Sequence, residues 1–409
     1  MRVLLIHQAF ACLQEAGGTR HFEFARHLAE KGHEVVIVAG TVSYLTGRRM
    51  GTGRDPNTGG GVRGMRVVRA LSLPCLRRGY VWRVFAFACF MITSLIAGLR
   101  QGHVDLVMGT TPPIFQAGTA WVASLCHRSP FLLEVRDLWP DFAVDIGILK
   151  NPLLIKAARW FERFLYNRAT HIMVNSPAYK GHIVKKGVPA TKITLIANGA
   201  DTSMFEPHAD GRGIREHLGL KGRFVVTYAG ALGMANDIDT ILRAAGRLLE
   251  EPDIRFLIVG DGRDRDRLEG EAARRGLCNV TFAGFYPKEA MGEVLAASDA
   301  CVATLRDIPM FRTTYPNKVF DYMAAARPVI LCIDGVIRSL MEEARAGICV
   351  HPGDDAGLAS AIRRIARDPE RAAAMGRAGR RFVEKHFNRK KQAGEFAHLA
   401  EGLAHGTAV

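Results

Sequence analysis

Short apolar runs alternate along the chain with longer stretches of helical periodicity. In the first half these runs are VLLI (3–6), VVIV (35–38), DLVM (105–108), FLLEV (131–135), HIMV (171–174) and ITLI (193–196). A parallel strand is buried on both faces and therefore reads as a continuous apolar run, with the crossover helices between successive runs. The pattern predicts an α/β domain with a doubly wound parallel sheet.

The same rhythm restarts after residue 202, with FVVTY (224–228), RFLIV (255–259), VTFAG (280–284), ACVAT (300–304) and PVILCI (328–333). Between the halves, residues 198–213 are polar and rich in turn formers, which is typical of a linker. We therefore expect two Rossmann-like domains, 1–200 and 201–385, and a C-terminal helix within 386–409 that returns to the first domain. Such sheets bind ligands at the carboxyl ends of their strands, so a cleft between the domains is the expected site.

One helical stretch, residues 84–99, carries no charge over its whole length. Arg77, Arg78 and Arg83 precede it and Arg100 follows it. It is slightly shorter than the roughly 20 apolar residues that span a bilayer. Two readings stay open, a buried helix or a helix in the membrane interface with arginines at the headgroups. A span is disfavoured because the strand-like segment 104–110 follows at once.

The formal net charge of +15 narrows the choice of partners. A basic chain attracts nucleic acid, anionic lipid or phosphorylated ligands. No basic block is interleaved with aromatic residues, so we expect phosphates or a membrane surface and no nucleic acid. The eight cysteines form no CxxC pair and no Cys/His cluster, so we expect a reducing compartment and no metal. The apolar run at the N-terminus is too short for a signal peptide, which favours the cytoplasm.

Paired glycines mark the first segment with candidate chemistry. Gly17 and Gly18 lie between a strand that ends near His7 and a helix that begins near Thr19. Glycine lets a ligand approach the backbone, and the amides of a helix N-terminus favour an anion. A tight turn that needs glycine for its own geometry explains the pair equally well.

A second segment places charges directly after a buried strand. Glu134, Arg136 and Asp137 occupy the carboxyl end of the run at 131–135, where α/β folds hold reactive groups. We take these three as catalytic candidates. The alternative is a structural Arg–Asp ion pair.

The third segment, residues 305–330, is the most informative. Thr313 or Thr314 is predicted to cap a helix with Pro316 in its first turn. Asn317, Lys318 and Asp321 then share one helical face, while Val319, Tyr322 and Met323 point to the core. Lys318 and the helix N-terminus would hold a pyrophosphate, and Asp321 would accept hydrogen bonds from ribose hydroxyls. The alternative is a local Lys–Asp surface pair.

Two glycine turns after strands, YAGALG (228–233) and IVGDGRD (258–264), complete the set. Each would present backbone to a nucleotide. The candidate donor-binding residues, given in chain order, are Gly17, Gly18, Gly230, Gly233, Arg312, Asn317, Lys318 and Asp321.

In their joint order, these motifs resemble glycosyltransferase family 4, whose two-domain architecture is called GT-B. The likeness is closest to bacterial colanic-acid and O-antigen enzymes, notably N-acetylfucosamine transferases. The resemblance implies transfer with retention at the anomeric carbon and without an essential metal or other cofactor. It also implies that Gly17 and Gly18 face the donor phosphates, that Lys318 contacts the pyrophosphate, and that Arg136 and Asp137 lie near the reacting sugar and acceptor.

The chain departs from the family pattern at several positions. Asp321 replaces the second glutamate of the Glu-x7-Glu motif, and Thr313 stands where the first would be. The Arg and Lys common in the loop after YAG are replaced by Ala231 and Asn236. The resemblance suggests that Arg312 and Lys318 compensate.

The expected function is transfer of an N-acetylated sugar, with retention, from a UDP-linked donor to a lipid-linked saccharide acceptor in cell-surface polysaccharide biosynthesis. The protein is expected in the cytoplasm, peripheral on the inner face of the cell membrane. One alternative is a non-hydrolysing nucleotide-sugar epimerase of the same fold. The other is a catalytically degenerate membrane-associated partner.

Overall fold

The computed structural model describes residues 1–15, 17–42, 61–73, 80–206 and 209–407. The chain divides into two compact units, one of Met1–Ala197 with Lys390–Val409 and one of Asn198–Arg389. The sequence analysis places these boundaries after residues 200 and 385. Each unit holds one parallel sheet with helices on both faces, so the predicted α/β fold class is confirmed.

Unit 1 contains a seven-stranded sheet in the order β3-β2-β1-β4-β5-β6-β7. Its strands are β1 Arg2–Ile6, β2 Glu34–Gly40, β3 Met65–Ala70, β4 Leu106–Thr111, β5 Phe131–Val135, β6 His171–Val174 and β7 Ile193–Leu195. Its helices are α1 Arg20–Glu30, α2 Tyr80–Leu99, α3 Ile114–His127, α4 Asp141–Asp145, α5 Pro152–Arg168, α6 Pro177–Lys185 and α15 Arg389–His405. A short 3-10 turn covers Ala190–Lys192.

Unit 2 contains a six-stranded sheet in the order β10-β9-β8-β11-β12-β13. Its strands are β8 Phe224–Ala229, β9 Ile254–Val259, β10 Val280–Gly284, β11 Ala300–Thr304, β12 Val329–Cys332 and β13 Gly347–Cys349. Its helices are α7 Arg212–His217, α8 Ile238–Gly246, α9 Arg265–Arg274, α10 Met291–Ala296, α11 Asn317–Ala324, α12 Val336–Ala344, α13 Asp355–Ala366 and α14 Pro369–His386.

The eleven predicted strands are all present, but sequence analysis misses β3 and β13. Strand β3 pairs only with β2, at the edge of its sheet, and alternates apolar residues with Arg66 and Arg69 instead of forming a continuous run. Strand β13 is a three-residue edge strand. Neither strand therefore forms the continuous apolar run on which the prediction relies.

The predicted linker is wrong for residues 198–206. These residues pack into unit 2, where Ala200 and Phe205 are buried in the core. The backbone of Ala200 is hydrogen-bonded to Phe387 and Arg389 at the end of the unit. Polar composition did not reveal this because two buried apolar side chains are enough to fix the segment.

The charge-free stretch 84–99 lies in α2. Ala86, Phe90, Ser94 and Gly98, at intervals of four, are buried against the sheet. The opposite face of the helix is exposed, so the helix is neither fully buried nor fully free. In the described part of the chain, no helix combines the length and apolarity of a membrane span. Arg77 and Arg78, and the side chain of Arg83, lie outside the described residues.

Candidate functional site

The site in unit 2 lies where the strand order reverses. From β8 the chain continues through β9 to β10 on one side, and β11 to β13 lie on the other. The loops after β8 and β11 therefore diverge and leave a crevice at the carboxyl ends of these two strands, the usual ligand position in such sheets. Two hydrogen bonds join these loops at their base: the side-chain Oγ1 of Thr304 donates to Asn236 O, and the backbone amide of Arg306 donates to Ala235 O.

Three glycines form a tightly packed backbone layer at this edge. A Cβ on Gly260 would lie 1.9 Å from the carbonyl oxygen of Gly230, and one on Gly262 would lie 2.3 Å from that of Leu232. The amide of Gly260 donates to Gly284 O at 2.7 Å, which joins the loops after β8, β9 and β10. The close packing of one loop on another therefore requires glycine at these positions, and the predicted presentation of backbone to a nucleotide stays a prediction.

Lys318 reaches into this crevice from the first turn of α11. Its Nζ donates to Tyr228 Oη at 2.7 Å and to Asn236 Oδ1 at 2.8 Å. Burial lowers the pKa of Lys318 to about 7. An ammonium has three donors, so one remains for an anionic ligand. A Cβ on Gly230 would lie 3.0 Å from Nζ, so a larger residue there would crowd the ammonium.

Tyr322 fixes α11 to the end of β8. Its hydroxyl donates to Ala229 O at 3.0 Å and accepts from Ala229 N at 2.7 Å. Val319, Tyr322 and Met323 are all buried, so the predicted core face is confirmed. This anchoring sets the position of Lys318 one turn earlier.

The predicted threonine cap is wrong. Pro316 occupies the N-cap position of α11, and Thr313 ends a 3-10 turn at Pro309–Thr313. The hydroxyl of Thr313 donates to Met310 O at 2.6 Å, and that of Thr314 donates to Phe311 O at 2.9 Å. Both hydroxyls thus serve the preceding turn and not the helix.

Asp321 is paired with a distant lysine. Its Oδ2 lies 2.6 Å from the Nζ of Lys288, which follows β10 and sits 5.1 Å from the centre of the Phe205 ring. Lys318 and Asp321 are therefore bound to different parts of the unit, and the alternative of a local Lys–Asp surface pair does not describe them. The role of Asp321 toward ribose stays a prediction.

The remaining donor candidates of unit 2 differ in their surroundings. Arg312 pairs with Asp307 at 3.0 Å, with both side chains about half exposed. Asn317 is exposed at the start of α11. Gly233 precedes the 3-10 turn Met234–Asn236, which places the side chain of Asn236 beside Lys318. Of the predicted set, Gly230 lies beside Lys318, and contacts of all the candidates with a donor stay predictions.

Unit 1 has its own reversal of strand order, between β1 and β4. Glu134 lies at this edge and is completely buried. Its carboxylate accepts from Arg20 Nε at 2.9 Å and from Thr110 Oγ1 at 3.0 Å, and it contacts His21 Nε2. Burial alone would raise the pKa of Glu134, but the neighbouring His21 and the guanidinium groups of Arg20 and Arg136 hold it well below its usual range.

Arg136 lies above this carboxylate and is partly exposed. Its Nε donates to Thr110 Oγ1 at 2.8 Å and to Thr111 O at 3.1 Å, and its Nη2 is 3.1 Å from His7 Nε2. A guanidinium only donates, so His7 Nε2 accepts and the imidazole proton sits on Nδ1. Burial, together with His21 and Arg136, lowers the pKa of His7 well below its usual value, which keeps the ring neutral.

Asp137 follows Arg136 and has a different character from Glu134. Burial raises the pKa of Asp137 to about 6, and the nearby Arg136 offsets only part of this effect. A carboxyl group that titrates near neutrality is suited to proton transfer or to charge stabilisation. Glu134, in contrast, is enclosed by its partners, and its predicted catalytic role stays a prediction.

Sequence analysis missed four members of this cluster, namely His7, Arg20, His21 and Thr110. The signal was available, because His7 directly follows β1, Thr110 is the next-to-last residue of β4, and Arg20 and His21 begin α1. Arg20 also donates to Ile196 O and Ala197 O at 2.6 and 2.7 Å. Gly17 and Gly18 lie in the β1–α1 loop of the same unit, and their role toward donor phosphates stays a prediction.

No group of three His, Cys, Asp or Glu side chains suited to a metal ion is found among the described residues. The metal-free reaction implied by the family resemblance stays a prediction, because a metal can also arrive with a substrate.

Comparison with known proteins agrees with this fold. The family model described as "Glycosyl transferase 4-like domain" matches residues 16–199, and that described as "Glycosyl transferases group 1" matches residues 223–368. The putative colanic acid biosynthesis glycosyl transferase WcaI of Escherichia coli K12 is 23% identical over 314 residues, which cover 74% of this chain and 77% of WcaI.

Solved structures resemble the whole chain. Sucrose-phosphate synthase from Thermosynechococcus elongatus superposes with a TM-score of 0.78 at 21% identity, covering 99% of this chain and 100% of that one. HepE of Anabaena, in complex with UDP and glucose, gives a TM-score of 0.74 at 18% identity, covering 98% of this chain and 99% of that one. With two matching family models and this fold, the chain belongs to the GT-B glycosyltransferases.

Proposed function

We propose that this glycosyltransferase moves an N-acetylated sugar from a UDP-linked donor to a lipid-linked saccharide acceptor, with retention, at the inner face of the cell membrane. The observation that carries the proposal is the position of Lys318. Its ammonium lies at the strand-order reversal of unit 2, held by Tyr228 and Asn236 and next to the backbone of Gly230. Such a site suits the pyrophosphate of a nucleotide sugar.

The chemical role of Lys318 follows from the charge that the reaction creates. When the bond from the anomeric carbon to the phosphate breaks, the leaving pyrophosphate gains negative charge. Lys318 and the first amides of α11 are fixed before the reaction begins, so they stabilise that charge without reorganisation. In this proposal they carry the role that a metal ion has in other nucleotide-sugar enzymes.

Arg136 and Asp137 are proposed to act on the sugar and the acceptor from unit 1. Arg136 is already oriented by Thr110, Thr111 and His7. Asp137 titrates near neutrality and is proposed to stabilise positive charge that develops at the anomeric carbon. The proposal follows the family resemblance of the segment that contains both residues.

The substrates are proposed by analogy. A UDP donor is supported by the UDP complex of HepE, and a polysaccharide acceptor is supported by the name of WcaI, a colanic acid biosynthesis enzyme. The lipid carrier is supported by the exposed apolar face of α2.

The experiment is a transfer assay with a panel of UDP- and GDP-linked sugars and a membrane extract that supplies lipid-linked saccharides. We expect a UDP-linked N-acetyl sugar to be transferred in the presence of EDTA, with the product sugar in the configuration of the donor. Turnover of the donor without acceptor to an epimer would instead identify the epimerase alternative. Binding of UDP without any turnover, over the full panel, would identify a degenerate partner.

A further inference from the structure

Helix α2 presents a continuous apolar stripe to solvent. Trp82, Phe85, Ile92, Ile96 and Leu99 are 41% to 62% exposed, and with the partly exposed Cys89 they recur at alternating steps of three and four residues. This spacing places all six on one helix face. None of these six positions carries a charged residue.

In the described part of the chain, the packing of α2 on the sheet does not use this stripe. The opposite face of α2 already packs on the sheet through Phe90 and Gly98, and a Cβ on Gly98 would lie 3.3 Å from Leu4 Cδ2. A contiguous exposed apolar surface of this kind marks an interaction site rather than ordinary surface.

The neighbouring helices also expose apolar side chains, and α3 packs against both α2 and α5. On α5, Leu153 is 76% exposed and Trp160 is 65% exposed. Phe164 anchors Trp160 to this layer, with ring centres 5.6 Å apart from Trp160 and 4.8 Å apart from Trp121 of α3. We call α2, α3 and α5 together the three-helix surface.

The charge of the three-helix surface has one sign. Among the side chains that the structure describes on these helices, the Lys and Arg residues are Lys156, Arg159, Arg163 and Arg168, all on α5. The one acidic residue of the three helices is Glu162, which is buried and bound to Lys186 at 2.6 Å. Lys156 and Arg163 are exposed. The outer face therefore combines apolar and cationic groups without exposed carboxylates.

This combination fits a bilayer better than a protein partner. Aromatic and aliphatic side chains bury into the boundary between headgroups and acyl chains, while Lys and Arg contact anionic headgroups. Tryptophan favours that boundary, and Trp82 and Trp160 lie on two different helices of the surface. A water-soluble protein partner of matching shape would need its own large apolar patch and an acidic rim.

We propose that the three-helix surface docks unit 1 on a membrane of anionic phospholipid without crossing it. The inference rests on the proposed function, in which the acceptor is carried on a lipid, and it assigns the residues that hold the enzyme at that lipid. The apolar stripe of α2 and the basic residues of α5 act together, so either one alone binds the membrane weakly.

The test is flotation with vesicles of phosphatidylcholine alone or with phosphatidylglycerol. We expect the wild-type protein to bind the mixed vesicles and to be released by high salt. The pair Phe85→Ser and Ile92→Ser should weaken binding roughly tenfold or more. The pair Lys156→Glu and Arg163→Glu should weaken it by about 30-fold or more, from two lost lipid contacts. Both pairs change exposed side chains, so the thermal unfolding midpoint should stay within a few degrees.

Matched controls separate this surface from general effects. Phe85→Leu with Ile92→Leu keeps the apolar area and should keep binding. Arg377→Glu with Arg381→Glu changes the net charge equally on exposed positions of unit 2 and should also keep binding.

The proposal would be overturned if the Ser pair bound vesicles as well as wild type, or if the charge reversals in unit 2 weakened vesicle binding as much as those on α5. It would also be overturned if wild type did not bind vesicles but formed a dimer that the Ser pair converted to a monomer. UDP binding measured without vesicles reports on the proposed function separately, because the substituted residues of the three-helix surface lie in unit 1 and Lys318 lies in unit 2.

Discussion

The ammonium of Lys318 donates to the amide oxygen of Asn236 across 2.8 Å. Asn236 lies in the loop after β8, where the family resemblance expects a lysine. In this chain a neutral amide takes the place of that lysine, and it holds the buried ammonium of Lys318. The crevice therefore carries one fixed positive side chain whose position depends on an amide.

Changing that amide to a carboxylate should disturb nucleotide binding. Asn236→Asp keeps the shape but places a negative charge beside the proposed pyrophosphate position and neutralises Lys318. We expect UDP to bind roughly tenfold more weakly, and Asn236→Ala to have a smaller effect because no charge is added. Calorimetric titration with UDP measures both. Equal affinity of all three proteins would show that the loop after β8 is not near the phosphates.

The pKa of Lys318, about 7 in the unliganded protein, predicts a pH dependence of binding. Burial disfavours the charged form, so above this pKa most of the side chain is neutral before the ligand arrives. A pyrophosphate restores the charge, which then requires uptake of a proton. We expect UDP affinity to fall as pH rises from 6 to 9, by up to tenfold per pH unit at the upper end.

The control for this pH series is Lys318→Ala, which should bind weakly with little pH dependence over the same range. A wild-type affinity that is constant from pH 6 to 9 would mean that Lys318 is charged throughout or does not contact the ligand.

Sequence analysis identified the strands and most site segments but could not show what each charged residue contacts. The eleven predicted strands are continuous apolar runs, whereas β3 and β13 are edge strands without that signature. The contacts of Lys318 span 90 and 82 residues of sequence, to Tyr228 and Asn236, so only the folded sheet brings them together. Likewise, Glu134 and Asp137 look alike in sequence. Only the structure shows that neighbouring cations keep the pKa of Glu134 low, whereas burial raises the pKa of Asp137.

Glu134 is expected to contribute chiefly to stability. Glu134→Gln keeps the shape of the side chain but leaves Arg20 without its buried counter-charge. Removing one partner of a buried pair costs about 3 kcal/mol or more. Denaturant unfolding measures the loss, and UDP binding by the remaining folded protein should be close to normal. A variant of wild-type stability but without transferase activity would give Glu134 a direct catalytic role instead.

Asp137 is expected to limit activity at acid pH. Its pKa of about 6 lies above the usual range of an aspartate, so the carboxylate is lost as pH falls through 6. If the ionised form stabilises the transition state, kcat/KM rises between pH 5 and 7. Asp137→Asn should lower kcat by about 100-fold or more and remove this acid limb.

The matched control for that profile is Asp145→Asn, an exposed aspartate at the end of α4. It should leave both kcat and the acid limb unchanged. An acid limb that survives in Asp137→Asn would assign the titration to another group.

The central claim is that Lys318 binds the pyrophosphate of a nucleotide sugar, and calorimetric titration of UDP into wild type, Lys318→Ala and the control Lys221→Ala tests it most directly. Lys221 is exposed in unit 2 and pairs only loosely with Glu216, at 3.7 Å. A charged hydrogen bond contributes about 1.5–3 kcal/mol, so Lys318→Ala should bind UDP roughly 10- to 100-fold more weakly, with Lys221→Ala unchanged. Equal affinity of wild type and Lys318→Ala for UDP would contradict the claim.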